Sequence, residues 1–196
     1  MASDPGTLRA LFERLAEDGL PDWEVMALSI TPRTYQRGER IFEQGSPDRN
    51  LRFLTEGVVR LSYEHEDGRN LSKSIITEGD LVASATALAG GLTTFSATAL
   101  TDAELLVIPY PAVERLMARH IAWERVARKL FADLARKKEQ REFEFLALTA
   151  EERWRRLQDQ RPDLVARVSQ VELAALIGIT PVALSRIKAR VRRRSA

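Results

Sequence analysis

Val168 to Arg190, VSQVELAALIGITPVALSRIKAR, predicts two short helices joined by a tight turn, the second of them basic. Ser169 followed three residues on by Glu172 is a capping box, in which hydroxyl and carboxylate satisfy backbone donors, so a helix is expected from Gln170. Leu173, Leu176 and Ile177 recur at helical spacing, and Ala174 is small where a second helix must cross closely. Gly178 ends this helix by taking positive φ. Thr180-Pro181 starts the next, with threonine as N-cap and proline at the first position, where its missing N–H is no loss. Leu184, Ile187 and Val191 form the inner face of the second helix. An ordinary helical hairpin has no need of small Ala174, Gly178 at the turn and apolar Leu173, Ile177, Ile179, Leu184 and Ile187 together; that combination is the helix-turn-helix pattern. Of the side chains left outside, Ser185 and Arg186 are assigned to base edges, Arg186 being suited to guanine. Thr180, Lys188 and Arg190 are assigned to phosphates, and Ser169 and Pro181 complete the candidate DNA-contacting set.

Charge supports a separate nucleic-acid module. The formal net charge of the 196 residues is only +2. From Arg153 onward, however, 11 Lys/Arg stand against 3 Asp/Glu, a net +8, and the preceding residues hold 19 against 25, a net −6. With no cysteine, the chain has no disulfide, thiol catalysis, zinc finger or cysteine-ligated cluster of its own. No apolar run approaches the ~20 residues of a membrane helix, and MASDPGTLRALFERLAEDG lacks a basic start and an apolar core. The expectation is a cytoplasmic protein that does not engage a membrane.

Upstream, Leu8, Leu11, Phe12, Leu15 and Leu20 predict one or two short helices within Thr7 to Leu28. From about Tyr35 to Pro109 the rhythm changes to short runs, ERIFEQ, LRFLTE, VVRLSYEH, NLSKSII, FSATAL and ELLVIP, divided by Gly38, Gly45, Gly57, Gly68 and Gly79. Such spacing predicts an antiparallel barrel or jelly roll, with Asp67-Gly68 as a hairpin turn. A short helix is expected from Tyr110 to Leu116, then a long one from about Ile121, ending near Leu148. Its stripe of Trp123, Val126, Leu130, Phe131 and Leu134 calls for a partner surface, which a second copy of the helix would supply, the alternative being the chain's own barrel. Thr149 and Glu152 form another capping box, opening a helix through Trp154 and Leu157 towards Gln160.

A β-roll, a long helix and a helix-turn-helix in this order resemble the Crp-Fnr superfamily of bacterial transcription regulators. The likeness is carried by RGERIFEQGSPDRNLRFLTEGVVRLSYEHEDGR, by EGDLVASATAL and by the segment quoted first. Gly38, Ile41, Phe42, Gln44, Gly45, Phe53, Leu54, Gly57, Val59, Arg60 and Asp80 sit where the family pattern places such residues. The resemblance implies an α+β chain: a double-stranded, jelly-roll-like β-roll of the cyclic-nucleotide-binding-domain type with N-terminal helices (1–120), a dimerisation helix (121–148) and a helix-turn-helix DNA-binding domain (149–196). It implies double-stranded DNA and a second copy of the chain as partners, with RNA polymerase a further candidate, and an operator of two-fold symmetry.

Two departures qualify it. Where cyclic-nucleotide-binding members carry a glutamate for the ribose and an arginine for the cyclic phosphate, this chain has Ser84, preceded by Ala83, and Thr93, Thr94 or Phe95; no arginine occurs between Lys73 and Arg115. A desolvated phosphate needs a charged or bidentate donor. Cyclic AMP or GMP is therefore not expected in the usual pose, and the effector pocket is assigned to Ala83, Ser84, Thr93, Thr94, Phe95 and Ser96, with amides around Gly90-Gly91 as a weak anion nest. After Val191 only RRRSA follows, so the β-hairpin wing common in the family is not expected. Arg192, Arg193 and Arg194 are expected to extend the helix or neutralise phosphates.

An enzyme is not indicated. The two histidines, His65 and His120, do not form a cupin-like metal set, and no phosphate loop or nucleophile motif is present. Some relatives bind haem, which would make one histidine an axial ligand. The alternative reading is thus a small-molecule-binding or haem-binding sensor or interaction module whose truncated helix-turn-helix does not read DNA.

Overall fold

The computed structural model describes residues 5–195. Helices α1 (Pro5–Ala16) and α2 (Trp23–Ala27) precede eight strands: β1 (Thr31–Tyr35), β2 (Arg40–Phe42), β3 (Asn50–Glu56), β4 (Val58–Glu64), β5 (Asn70–Thr77), β6 (Leu81–Val82), β7 (Ser96–Ala99) and β8 (Ala103–Pro109), with the short α3 (Ala85–Leu88) after β6. They form two antiparallel four-stranded sheets, ordered β1-β8-β3-β6 and β2-β7-β4-β5, which is the expected roll. Asp67-Gly68 closes the β4–β5 hairpin. Gly68 takes φ +83°, and its N–H donates to His65 O at 2.9 Å.

Strands β3 and β8 are buried on both faces, which is why LRFLTE and ELLVIP read as unbroken apolar runs. Leu54 and Leu105 point into the roll with Phe42, Val59, Leu61 and Phe95. Phe53, Leu106 and Ile108 point out, under α1, α2, α4 (Tyr110–Met117) and the start of α5 (Ile121–Ala147). There Trp23 and Trp123 stack with centroids 6.4 Å apart, and Phe12 meets both edge-on. The indole of Trp123 also donates to Pro21 O at 2.8 Å, fixing the first turns of α5 to the roll.

Beyond the 27-residue α5, the Thr149–Glu152 capping box forms as expected and opens α6 (Ala150–Gln160). Helices α7 (Pro162–Arg167), α8 (Gln170–Leu176) and α9 (Pro181–Ser195) follow, α9 continuing through Arg192, Arg193 and Arg194. Trp154, Leu164, Leu173, Ala174, Leu184 and Ile187 form the core of this module, and Val58 and Ile75 of the roll belong to the same cluster. The helix-turn-helix is therefore docked against β4 and β5. No single helix among the described residues is long and apolar enough to cross a membrane.

Candidate DNA interface and sensor cavity

The axes of α8 and α9 turn through 92°, the angle at which helix-turn-helix pairs cross. The turn is a Schellman motif: Gly178 at φ +74° donates to Ala175 O (3.2 Å), and Ile179 N–H donates to Ala174 O (3.0 Å). Its geometry depends on Gly178, because a Cβ there would meet Phe145 Cε1 of α5 at 2.5 Å. The Phe145 ring is covered by the guanidinia of Arg141 (4.6 Å) and Arg153 (4.9 Å). Thr180 Oγ1 accepts from Ala183 N at 3.2 Å, the N-cap expected for α9.

The capping box expected at Ser169 is only half formed. Ser169 Oγ accepts from Glu172 N (3.3 Å), but Glu172 Oε1 receives Arg60 Nη1 of β4 at 2.8 Å. A part-buried charge pair has displaced a single backbone contact. Arg167 adds two bonds to Glu78 Oε1 and Oε2 at 2.5 and 2.8 Å, and this hydrogen bonding pushes the Glu78 carboxyl down to about 2. Arg161 Nη2 donates to Thr77 Oγ1 at 2.9 Å.

Pro181, Ser185, Arg186 and Arg190 are exposed along α9. The Arg186 guanidinium has no hydrogen bond or ion pair with any described residue. Lys188 and Arg190 are engaged: Lys188 Nζ donates to Gln170 Oε1 (2.8 Å) and lies 5.3 Å from the Trp154 ring, while Arg190 Nη1 lies 3.1 Å from Glu151 Oε2.

The six positions assigned to an effector pocket are mostly structural. Ser84 Oγ, buried, caps α3. Thr93 Oγ1 donates to Glu43 O and accepts from Ser46 N (3.1 Å), and Ser96 Oγ accepts from Gln44 N (2.9 Å). Phe95 packs against Phe42 and Tyr63 inside the roll, and Thr94 is at the surface. Only Ala83 reaches the cavity of about 460 Å³ that opens between the roll and α5.

That cavity exposes residues that sequence reasoning missed. Lys73, Lys138 and Arg141 line it. Lys73 is the residue skipped where the β4–β5 register shifts, with Leu61 opposite Ser74 and Ser62 opposite Ser72. A bulge of this kind re-aims a side chain. Lys73 Nζ accordingly lies 4.6 Å from the Phe95 ring, and burial, with Lys138 and Arg141 nearby, pushes its pKa down to about 8. Arg141 Nη2 donates to Ser72 O (3.0 Å) and to Leu176 O (3.1 Å) at the end of α8, joining cavity, strand and reading head; burial lowers its pKa.

Two of the five positions assigned to the dimer helix face the other way. Trp123 and Val126 are buried in the chain's own core, because the Trp23–Trp123 stack claims that face. Leu130 and Leu134 are half-buried beside the cavity, and Phe131 is exposed. Of the two histidines, His65 Nδ1 lies 3.0 Å from Asp67 Oδ1, His120 Nε2 lies 3.0 Å from Asp22 Oδ2, and neither lines the cavity.

An eight-stranded roll, a long helix and a docked helix-turn-helix define the class of fold. Residues 32–120 match the family described as cyclic nucleotide-binding domain. The cyclic AMP receptor protein of Thermus thermophilus is 32% identical over 181 residues, covering 86% of this chain and 81% of its own length. The global nitrogen regulator of Synechocystis is 28% identical over 115 residues, 58% of this chain and 48% of the relative, so the chain matches about half of that relative. The solved catabolite activator protein of Thermus thermophilus has a TM-score of 0.55 at 27% identity, over 92% of this chain and 88% of that one. FixK2 of Bradyrhizobium japonicum shares the fold, with a TM-score of 0.70 at 20% identity over 85% and 86%. The chain belongs to the Crp-Fnr superfamily.

Proposed function

We propose that the chain is a sequence-specific DNA-binding transcription regulator acting as a homodimer, with 1–120 as sensor, 121–148 as the dimer helix and 149–196 as the reading head. The observation that carries this is the unpartnered Arg186 guanidinium beside Ser185 on the open face of α9, the second helix of a motif bent by 92°. An arginine free of internal partners is available to a guanine edge in a major groove. Lys188 and Arg190, and the arginines after Val191, supply the phosphate contacts; the first two exchange their internal partners for phosphate on binding. The name of one relative, the global nitrogen regulator, supports the same reading.

A second copy is supported by α5, where Phe131, Phe143 and Leu146 remain exposed at 41, 54 and 81%. An effector other than cyclic AMP or GMP in the usual pose is supported by Thr93, at one of the positions matching the phosphate arginine, whose hydroxyl is spent on the backbone of the Glu43–Ser46 turn. The test is selection of bound fragments from the source genome, followed by titration of one fragment at moderate salt. Wild type is expected to bind and Arg186→Ala to bind at least tenfold more weakly. Equal binding by the two proteins would remove the reading.

A further inference from the structure

We propose that the cavity between β5 and α5 binds a small organic anion with an apolar body, its charged group held by Lys73, Lys138 and Arg141. The charge balance of the walls carries the argument. Of the other ionised groups at this cavity, Lys129 lies 2.6 Å from Glu17, and Lys137 lies 2.7 Å from Asp80 and 2.9 Å from Asp133, while Arg14 of α1 is exposed at its outer edge. Lys73 and Lys138 have no hydrogen bond or ion pair with any described residue, and Arg141 spends its guanidinium on two carbonyls. Three cations thus converge on one partly enclosed space with no carboxylate paired to any of them. Lys73 and Arg141 are half-buried and Lys138 is exposed at the cavity mouth, and gathering like charges around a partly desolvated space is unfavourable until a counter-charge arrives.

The bulge in β5 is the second observation. A regular strand would pair Lys73 in the ladder, whereas the bulge leaves it unpaired at the cavity wall, over the Phe95 ring. The remaining wall determines what the ligand's body is. Leu15, Ile76, Leu81 and Leu130 are among its many apolar residues, and its uncharged polar side chains are Ser74 and Tyr110, beside the already paired Asp80 and Asp133. Such a wall offers no array for a sugar. The chemistry selected is a carboxylate or sulfonate on an aliphatic or aromatic body, gripped from the β5 and α5 walls and not from the β6–α3 segment where the cyclic-nucleotide residues of the family lie.

This deepens the sensor half of the function proposed above, and it is tested without DNA so that the two ideas fail separately. Full-length protein is titrated with 8-anilinonaphthalene-1-sulfonate by fluorescence, and the bound dye is then displaced with octanoate or with 1-octanol. Octanoate is expected to displace the dye at least tenfold more effectively than octanol of the same chain length. The double variant Lys73→Met with Lys138→Met is expected to bind the dye at least tenfold more weakly while keeping the wild-type far-ultraviolet circular dichroism. Lys138→Glu serves as a second variant with the same expected loss. Equal displacement by acid and alcohol, or undiminished dye binding in the folded variants, would overturn the proposal; the acid-alcohol comparison needs no variant at all.

Discussion

Arg60 Nη1 in β4 and Glu172 Oε1 in α8 lie 2.8 Å apart across 112 residues of chain, with side chains only 23 and 17% exposed. This pair ties the roll to the first helix of the reading head. Arg60 Nε and Glu172 Oε2 are buried without a hydrogen-bond partner, so each charge depends on the other. Removing one member leaves an uncompensated group, at a cost of about 1–3 kcal/mol, whereas removing both is closer to neutral. A double-mutant cycle with Arg60→Met and Glu172→Leu, read by urea unfolding, should therefore give a coupling of about 1 kcal/mol or more. Strictly additive single effects would show that the contact holds nothing.

The second tie responds to acid. Glu78, bonded to Arg167 and to Gly57 N–H, has its carboxyl pushed from an ordinary 4.5 to about 2. A depressed carboxylate stabilises the folded state fully above its unfolded value and loses that contribution as pH falls from 4.5 towards 2. Melting temperature should fall over that interval, and less steeply in Glu78→Gln. Parallel curves for the two proteins would exclude this pair as a source of the acid response.

Lys73 gives the opposite slope. Its folded pKa of about 8 lies below the ordinary 10.5, so the unfolded chain holds more protons between those values and stability rises with pH across them. Below pH 8 the folded protein carries the full burden of the buried ammonium, about 3 kcal/mol at most. Lys73→Met should melt higher than wild type at pH 7, and the difference should close by about pH 10.5. A variant that melts lower at pH 7 would contradict the assignment.

Gly178→Ala should destabilise the reading head by about 1–3 kcal/mol, because φ +74° is unfavourable for alanine. The new methyl also displaces Phe145 from between Arg141 and Arg153. Hydrogen exchange should quicken in α8 and at the end of α5 together. Faster exchange confined to α8 would mean that the Phe145 contact does not join them.

Cyclic AMP and cyclic GMP at millimolar concentration should leave the melting temperature unchanged, since a ligand that binds only the folded state raises it with concentration. A saturable rise with either nucleotide would reverse the effector reading.

The helix-turn-helix was legible almost to the residue because caps and turns are local chemistry: Ser169, Gly178, Thr180 and Pro181 act within a few residues of themselves. What sequence did not disclose depends on distant partners. Glu172 was expected to close its own capping box, but Arg60 lies in a strand more than a hundred positions away. Trp123 and Val126 carried the correct periodicity, yet periodicity cannot distinguish the chain's own α2 from a second copy. Strand β1 is polar and mostly exposed, pairing only with β8, and β6 has two residues; neither offers a pattern to detect. Lys73 sits in the β run NLSKSII with no local signal of its own, and only the register shift at Leu61–Ser62 turns it to the cavity. The one available clue was the run KKEQRE, which places Lys138 and Arg141 three apart on one side of α5.

Because α8 faces the roll, Ser185 and Arg186 already look out to solvent in the docked arrangement. Docking therefore leaves these side chains uncovered; what it sets is bearing. A helix-turn-helix clamped by Arg60 and Arg167 points where the roll points, and in the proposed dimer the separation of two such modules would follow from the same clamps. Half-sites one helical turn apart, about 34–36 Å, are met only at one separation. If the proposed regulator reading holds, the Arg60–Glu172 and Arg167–Glu78 pairs would act as a ruler, and control of a gene would lie in the distance they hold.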